Sequence, residues 1–294
     1  MNHPRIAVLQ GAQLPSHVTP DMVHSEALYA DEALLVRELN ARGARAEQLA
    51  WKGNGTHWAD FDAAAIRATF DYIDDRDGFL DTLSAIDSAG CRIFNPLEVV
   101  RWNSDKRYLL EIAHRGMPTV PTWQAGRDEP AAIRSSLEKL GAGEAVLKPA
   151  VGAGGSGVRR AAVRDVEKEL APGLLVQPLL DSVVTEGEWS FVYIDGAFSH
   201  ALRKLPAEGD YRVQEIYGGT LALAEASNAD LAAADAIYSM LPPGLLYARL
   251  DLARLNGRLV VMELELIEPV LSFDLIPQAA SRMADALMAR LAQP

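Results

Sequence analysis

The chain has 294 residues, 49% of them apolar and 23% charged, and 40 acidic against 28 basic side chains give it a formal charge of −12. That composition belongs to a folded globular chain and excludes a disordered one; it also lacks the basic footprint of a nucleic-acid binder. The length accommodates two or three subdomains of roughly 100–150 residues each, around cores large enough to need no staples.

Arg5 to Leu9 reads as a short buried strand ending in a Gln-Gly turn. Its apolar run, Ile6 to Leu9, is too short for the core of a signal peptide. No stretch of the chain approaches the ~20 apolar residues of a membrane span, so a cytoplasmic location is expected. Ser25 to Arg42 places Leu28, Leu34, Leu35 and Leu39 at helical spacing, and Gly43 follows as the cap. Ala46 to Trp51 forms a second expected strand, and Ala63 to Phe70 a third that runs into Asp71 and Tyr72. Gly78 to Ala89 is a helix stopped by Gly90, and Cys91 to Phe94 a fourth strand. Cys91 is the single cysteine, so no intrachain disulfide can form and a reducing compartment fits.

This alternation implies a parallel sheet with right-handed crossovers, whose ligands bind beyond the carboxyl ends of the strands. Gln10, Arg67, Asp71 and Tyr72 fall there. Each also suits plain loop hydrogen bonding, the preferred reading for Gln10. Asn103 to Arg115 is expected as one helix carrying Lys106, ended at Gly116-Met117-Pro118. Pro118 to Trp123 is extended and marks a boundary. Glu129 to Leu140 is a helix closed by Gly141, and Glu144 to Ala150 is a strand.

The most informative string is VLKPAVGAGGSGV, residues 146–158. Glycines at 152, 154, 155 and 157, with Ser156, let backbone N–H groups approach phosphates with no Cβ in the way. The spacing is not that of a P-loop, since no lysine follows it, and no helix opens on Gly152 as a dinucleotide fingerprint requires. The lysine precedes the loop. Lys148 sits at a strand end between apolar Val146-Leu147 and rigid Pro149, which favours a functional lysine over a solvated one.

Leu174 to Leu180 is an apolar strand entering a proline-marked bend, whose backbone groups suit a base edge. Glu186, Glu188 and Trp189 to Tyr193 lead into a strand that turns at Asp195-Gly196. The next strand ends in Arg203-Lys204, and Arg212 precedes the pair Gly218-Gly219. Cations at strand ends beside a glycine loop, in an acidic chain, suggest anion binding. The Ala-rich stretch from Leu221 to Ala236 reads as helix or its approach.

Asn256-Gly257 joins two β-rich runs, Leu246 to Ala253 and Leu259 to Leu266. The first carries Asp251; the second, MELELIEP, carries Glu263, Glu265 and Glu268 with no cation interleaved. Charged edge strands blunt aggregation, but carboxylates without counter-charge more readily imply a hard cation such as Mg²⁺. A three-residue turn, Leu255 to Gly257, is expected, because it places Asp251, Glu263 and Glu265 on one face, whereas a two-residue Asn-Gly turn would place Asp251 opposite the glutamates.

In this order, Lys106, LKPAVGAGGSG, VQPLL, GEWSF, Arg203-Lys204, YRVQEIYGG and MELE resemble the ATP-grasp superfamily of the glutathione-synthetase-like type. RATFDY, FNPLEVVRWNSDKRYLL and MELELIEP resemble the small bacterial ligases related to the D-cycloserine-forming ligase. The resemblance spans about residues 60 to 275 and implies an α/β fold that is α+β in its C-terminal half. Residues 1–118 would form an open α/β domain with a parallel sheet. Residues 119–180 would form a small central domain with the glycine lid, and residues 181–294 an antiparallel domain carrying the acidic hairpin.

The resemblance also implies roles. Lys106 and Lys148 contact ATP phosphates, Gly152 to Gly157 form the lid, and Gln177 and Leu180 take the adenine. Glu188 holds the ribose, with Asp181 and Glu186 as rivals. Lys204 and Arg212 serve the reacting phosphoryl group. Asp251, Glu263 and Glu265 bind one or two Mg²⁺ ions, Glu265 standing where the family usually has Asn. Arg67, Asp71 and Tyr72 would grip a small amino-acid-like substrate. The implied activity is an ATP-dependent ligation of a carboxylate to an amine through an acyl phosphate. Intramolecular closure to an N–O-linked amide, in the making of an antibiotic or peptide-like metabolite, is one form of it. A small-molecule kinase and a non-catalytic nucleotide binder use the same residues and are the alternatives. A homodimer, with no nucleic acid and no membrane as partner, completes the expectation.

Overall fold

The computed structural model describes residues 3–19, 29–53 and 55–293. The chain begins with β1 (Arg5–Gln10), α1 (Ala30–Ala41), β2 (Arg45–Ala50), β3 (Ala63–Ile66), α2 (Arg76–Ser88) and β4 (Arg92–Phe94). The four strands form a parallel sheet in the order β2-β1-β3-β4. Ile6 and Val8 pack with Leu35 and Leu39 of α1, while Ala7 and Leu9 pack with Phe79 and Leu83 of α2. Helices on both faces explain why β1 is apolar throughout rather than alternating. The first expected helix is observed from Ala30; Ser25 to Leu28 lie outside the described residues.

The helix expected over Asn103 to Arg115 starts only at Tyr108: α3 (Leu97–Asn103) ends at Asn103, residues 104–107 form a turn, and α4 (Tyr108–His114) follows. The Asp105 carboxylate accepts from the Arg107 backbone N–H at 3.0 Å and binds its guanidinium. An Asp that offers the backbone a local partner competes with the helix. Lys106 therefore sits in a turn, free to reach sideways. The third expected strand also stops early, at Ile66, and residues Phe70–Asp74 form a 3₁₀ turn.

The second sheet contains β5 (Trp123–Gln124), then α5 (Pro130–Lys139), β6 (Glu144–Pro149), β7 (Arg159–Ala162), α6 (Val166–Glu169) and β8 (Leu174–Pro178). Its strands run antiparallel in the order β5-β8-β6-β7, and the glycine loop is the β6–β7 connection. The third sheet follows α7 (Asp181–Thr185). It comprises β9 (Glu188–Ile194), β10 (Ala197–Leu205), β11 (Thr220–Ala224), β12 (Tyr247–Leu255) and β13 (Arg258–Glu265), with α8 (Asn228–Tyr238) before β12 and α9 (Pro277–Leu291) last. Its order is β11-β10-β9-β12-β13, antiparallel throughout. Among the described residues no helix is long and apolar enough to cross a membrane.

The acidic hairpin corrects one expectation. Leu255 pairs with Arg258, so the turn is the two-residue Asn256-Gly257, both at positive φ (52° and 77°). The register then shifts between Leu252 and Asp251, where Met262 is the extra residue of a β-bulge. Asp251 comes to face Glu263 by the bulge, not by the turn.

Candidate active site

A cavity of about 620 Å³ lies between the second and third sheets and reaches the segments that follow β1 and β3. Its wall on the β6 side carries Lys148, 8% exposed and without a hydrogen bond or ion pair among the described residues. Burial pushes this ammonium's pKa down. A buried cation with no partner is costly, and an anion in the cavity would relieve that cost.

The roof is the glycine loop. Gly152, Gly154, Gly155 and Ser156 line the cavity; Gly157 does not, being folded against Pro149. Gly155 has φ +78°, and a Cβ there would stand 3.0 Å from the Tyr217 ring. A second loop, residues 206–219, meets this roof. The Tyr211 hydroxyl donates to the Val158 carbonyl at 3.2 Å, and Arg212 lies over the Tyr217 ring at 3.7 Å while paired with Asp210 at 2.8 Å. Gln177 and Leu180 line the opposite end. The Gln177 amide donates to Thr122 Oγ1 at 3.0 Å, so only its remaining surface is offered to the cavity. Of the three acids considered for a ribose, Glu188 faces the cavity, Glu186 pairs with Arg254 at 3.1 Å, and Asp181 is exposed at the start of α7.

The floor is a chain of alternating charges. Lys204 Nζ lies 2.8 Å from Glu188 and 3.0 Å from Asp251. Asp251 also accepts two bonds from the Arg249 guanidinium, both at 2.9 Å, and one from Ser190 at 2.6 Å. Arg249 continues to Glu265 at 2.6 Å, and Lys106 holds Glu263 at 2.5 Å. The acids thus have the counter-charge that the sequence reading denied them. Burial would raise the Asp251 pKa, but Arg249 and Lys204 hold it below the ordinary carboxylate range. Glu265 goes the other way: burial pushes it up to about 7 against the pull of Arg249, with Asp251 and Glu263 adding to the rise. Glu268, unpaired among the described residues, is pushed to about 8 by burial and Glu265.

Among the described residues no three acidic, histidine or cysteine side chains form a ready-made metal cage. The donor set still fits a hard divalent cation. It is all carboxylate oxygen, and Glu263 and Glu265 keep 27% and 26% of their side chains accessible. Asp251, at 5%, stands behind them.

Of the three residues expected to grip a substrate, only Tyr72 faces the cavity. Arg67 is 1% exposed and donates to the Pro269 carbonyl at 2.7 Å, under Asp31 and Glu32. Asp71 accepts from the backbone of Ala12 and Gln13 and from Trp51 Nε1. Asp71 is thereby spent on fixing the loops around the site, whereas Arg67, held by Nη2 alone, keeps Nε and Nη1 buried without a hydrogen-bond partner among the described residues. Gln10 lies outside the cavity lining as well.

Comparison with known proteins now decides the family. The family model described as the D-cycloserine synthetase DcsG N-terminal domain matches residues 6–95. The cycloserine biosynthesis protein DcsG of Streptomyces lavendulae is 33% identical over 274 residues, covering 85% of this chain and 90% of that protein. The chain belongs to the D-cycloserine synthetase family of ATP-grasp ligases. The crystal structure of D-cycloserine synthetase DcsG superposes with a TM-score of 0.80 at 29% identity, covering 98% of this chain and 99% of that one. A D-alanine–D-alanine ligase from Bacillus anthracis, complexed with ATP, shares the fold at a TM-score of 0.66 and 16% identity, over 99% and 98% of the two chains.

Of the charged residues that line the cavity, the sequence reading missed Arg249 and left Glu268 without a role. The signal for Arg249 was present as Arg249-x-Asp251: two residues apart on a strand share a face. It needed the register to become visible, because Arg249 pairs with Glu265 across the hairpin.

Proposed function

We propose that this D-cycloserine-synthetase-family ligase uses ATP to activate a substrate carboxylate as an acyl phosphate and then joins it to an amine of the same molecule, closing an N–O-linked ring. The partnerless buried Lys148 beside the glycine loop is the observation that carries this reading, because it calls for an anion where an ATP-grasp enzyme places phosphates. Lys148 and Lys106 would take those phosphates, with the N–H groups of Gly154 to Ser156 above them. Lys204 is tied to Glu188 and Asp251 and would turn toward the nucleotide. A divalent cation held by Glu263 and Glu265, with Asp251 behind, would neutralise phosphate charge during transfer.

The acyl carbon then needs a donor for its developing oxyanion. Arg249, rigidly forked on Asp251, and Arg212, stacked on Tyr217, are the two guanidiniums that line the cavity among the described residues. Tyr72 and Glu268 face the remaining space, where a hydroxyl and a carboxyl of raised pKa suit an amine. Closing the glycine loop would exclude the water that hydrolyses acyl phosphates.

The test is incubation with ATP, Mg²⁺ and a panel of amino acids bearing O-linked nitrogen groups, followed by mass spectrometry. The expected result is ADP, free phosphate and a cyclised product, with hydroxylamine diverting the reaction to a hydroxamate. A stable phosphorylated substrate and no hydroxamate would assign a kinase instead. Lys148→Ala should abolish ADP release.

A further inference from the structure

β13 carries Glu263 and Glu265 and is the edge strand of its sheet. An edge strand leaves a row of N–H and C=O groups unpaired. Before the bulge a backbone segment covers that row: Val261 N–H donates to the Pro118 carbonyl, and Val120 N–H to the Val261 carbonyl, both at 2.9 Å. Beyond the bulge, where the acids lie, side chains take over. The Tyr108 hydroxyl accepts from Leu264 N–H at 2.7 Å and donates to Leu264 C=O at 3.1 Å. The Asn103 amide donates to the same carbonyl at 2.9 Å and accepts from Leu266 N–H at 3.0 Å. Asn95 closes the row on the Leu266 carbonyl at 2.8 Å.

Asn103 and Tyr108 flank Lys106 in one turn. The backbone N–H of Lys106 donates to the Ala150 carbonyl at 2.7 Å, at the root of the glycine loop, and its ammonium reaches Glu263 and the Gly152 carbonyl, both at 2.5 Å. Residues 103–108 thus span the acid strand on one side and the phosphate loop on the other. Leu264 and Leu266 are fully buried, and alternation sends Glu263 and Glu265 to the opposite face. Fixing the backbone at 264 and 266 therefore fixes how far both carboxylates stand into the cavity. A true neighbouring strand would satisfy the same groups, but it would lie ~4.8 Å away along the whole edge and would fill the path that Lys106 takes.

We infer that Asn103 and Tyr108 are positioning residues: a side-chain substitute for a neighbouring strand that sets the metal-binding carboxylates against Lys106. The inference rests on the metal role given above to Glu263 and Glu265. Removal of the Tyr108 hydroxyl leaves Leu264 N–H buried and unpaired, which frees the strand to shift.

The experiment measures Mn²⁺ binding by electron paramagnetic resonance in the presence of ATP. Wild-type protein is compared with Tyr108→Phe, and with Asn103→Ala should the first variant fail to fold. Binding of the fluorescent analogue TNP-ATP in EDTA is measured alongside. The expected result is a Mn²⁺ dissociation constant raised at least tenfold, with TNP-ATP affinity in EDTA within twofold of wild type. Lowered thermal stability with Mn²⁺ affinity within twofold of wild type would reduce both residues to packing and overturn the inference. Failure of the wild-type protein itself to bind Mn²⁺ with ATP would instead overturn the metal role, and the inference with it.

Discussion

Glu32 is a buried, weakly compensated acid that lines the cavity along with Tyr72. Its side chain is 3% exposed, and its nearest cation, Arg67 Nε at 3.5 Å, also serves Asp31 at 3.9 Å through Nη2. Burial pushes its pKa from an ordinary 4.5 to about 7, and Asp31 adds to the rise against Arg67. The folded pKa is therefore above the unfolded one. The stabilisation by protonation is complete below about 4.5 and is lost as pH rises to about 7. At pH 8 the ionised group costs the fold about 3.5 kcal/mol, from ~2.5 pKa units at ~1.4 kcal/mol each. Glu32→Gln should thus unfold at higher urea than wild type at pH 8, by about that free energy, and at the same urea at pH 4. Coincident urea curves at pH 8 would mean that water or a neighbour already compensates the charge.

At the level of elements, the roof depends on two loops meeting at a glycine. Gly155 has φ +78°, and a methyl group there would also stand 3.3 Å from Gln214 Oε1. Gly155→Ala forces an L-residue into a region that costs about 1–2 kcal/mol and parts the glycine loop from residues 206–219. ATP affinity, measured by calorimetry, should fall about tenfold; an unchanged affinity would mean that the two loops do not act together. The sequence made the glycine loop legible because four glycines in six residues have few other uses, and the parallel sheet was legible from unbroken apolar strands. Other features depend on contacts with no local signature. The Met262 bulge is invisible in a run that alternates well on both sides of it. Asp105 breaks a helix that apolar spacing alone would continue. Arg67 and Asp71 stand where ligands usually bind, yet Pro269 and the Ala12–Gln13 backbone, distant in sequence, claim them.

On the scale of the whole molecule, the first and third sheets share one core. Ile6 and Val8 of β1, Leu35 and Leu39 of α1, Val192 of β9, Leu202 of β10 and Tyr247 of β12 belong to a single cluster. α9 is its keystone, placing Ala280, Met283, Ala284 and Leu287 within it, all 0–1% exposed. Arg42 locks α1 to α9 through Asp285 at 2.6 Å and Ser281 at 2.7 Å. The second sheet instead closes a small core of its own, with Ile133, Leu137, Val166 and Val176. Burying Met283 and Leu287 contributes roughly 1.5–3 kcal/mol each, before counting the residues of α1 and β9 that their loss would uncover. Against a total of ~5–15 kcal/mol for a typical domain, deletion of α9 removes most of the margin that holds the two sheets together. A chain ending at Ile276 should therefore lose the cooperative calorimetric transition of both sheets at once. A surviving transition from the β1–β4 sheet, near its original temperature, would show that this sheet folds without the shared core. The shared core also bears on the site. Tyr72 follows β3 and Arg249 lies on β12, so the two walls of the cavity that carry them keep a fixed separation. The second sheet joins this frame through Leu175 of β8, through the Val120–Val261 backbone bond and through the Lys106–Ala150 bond at the root of its loop.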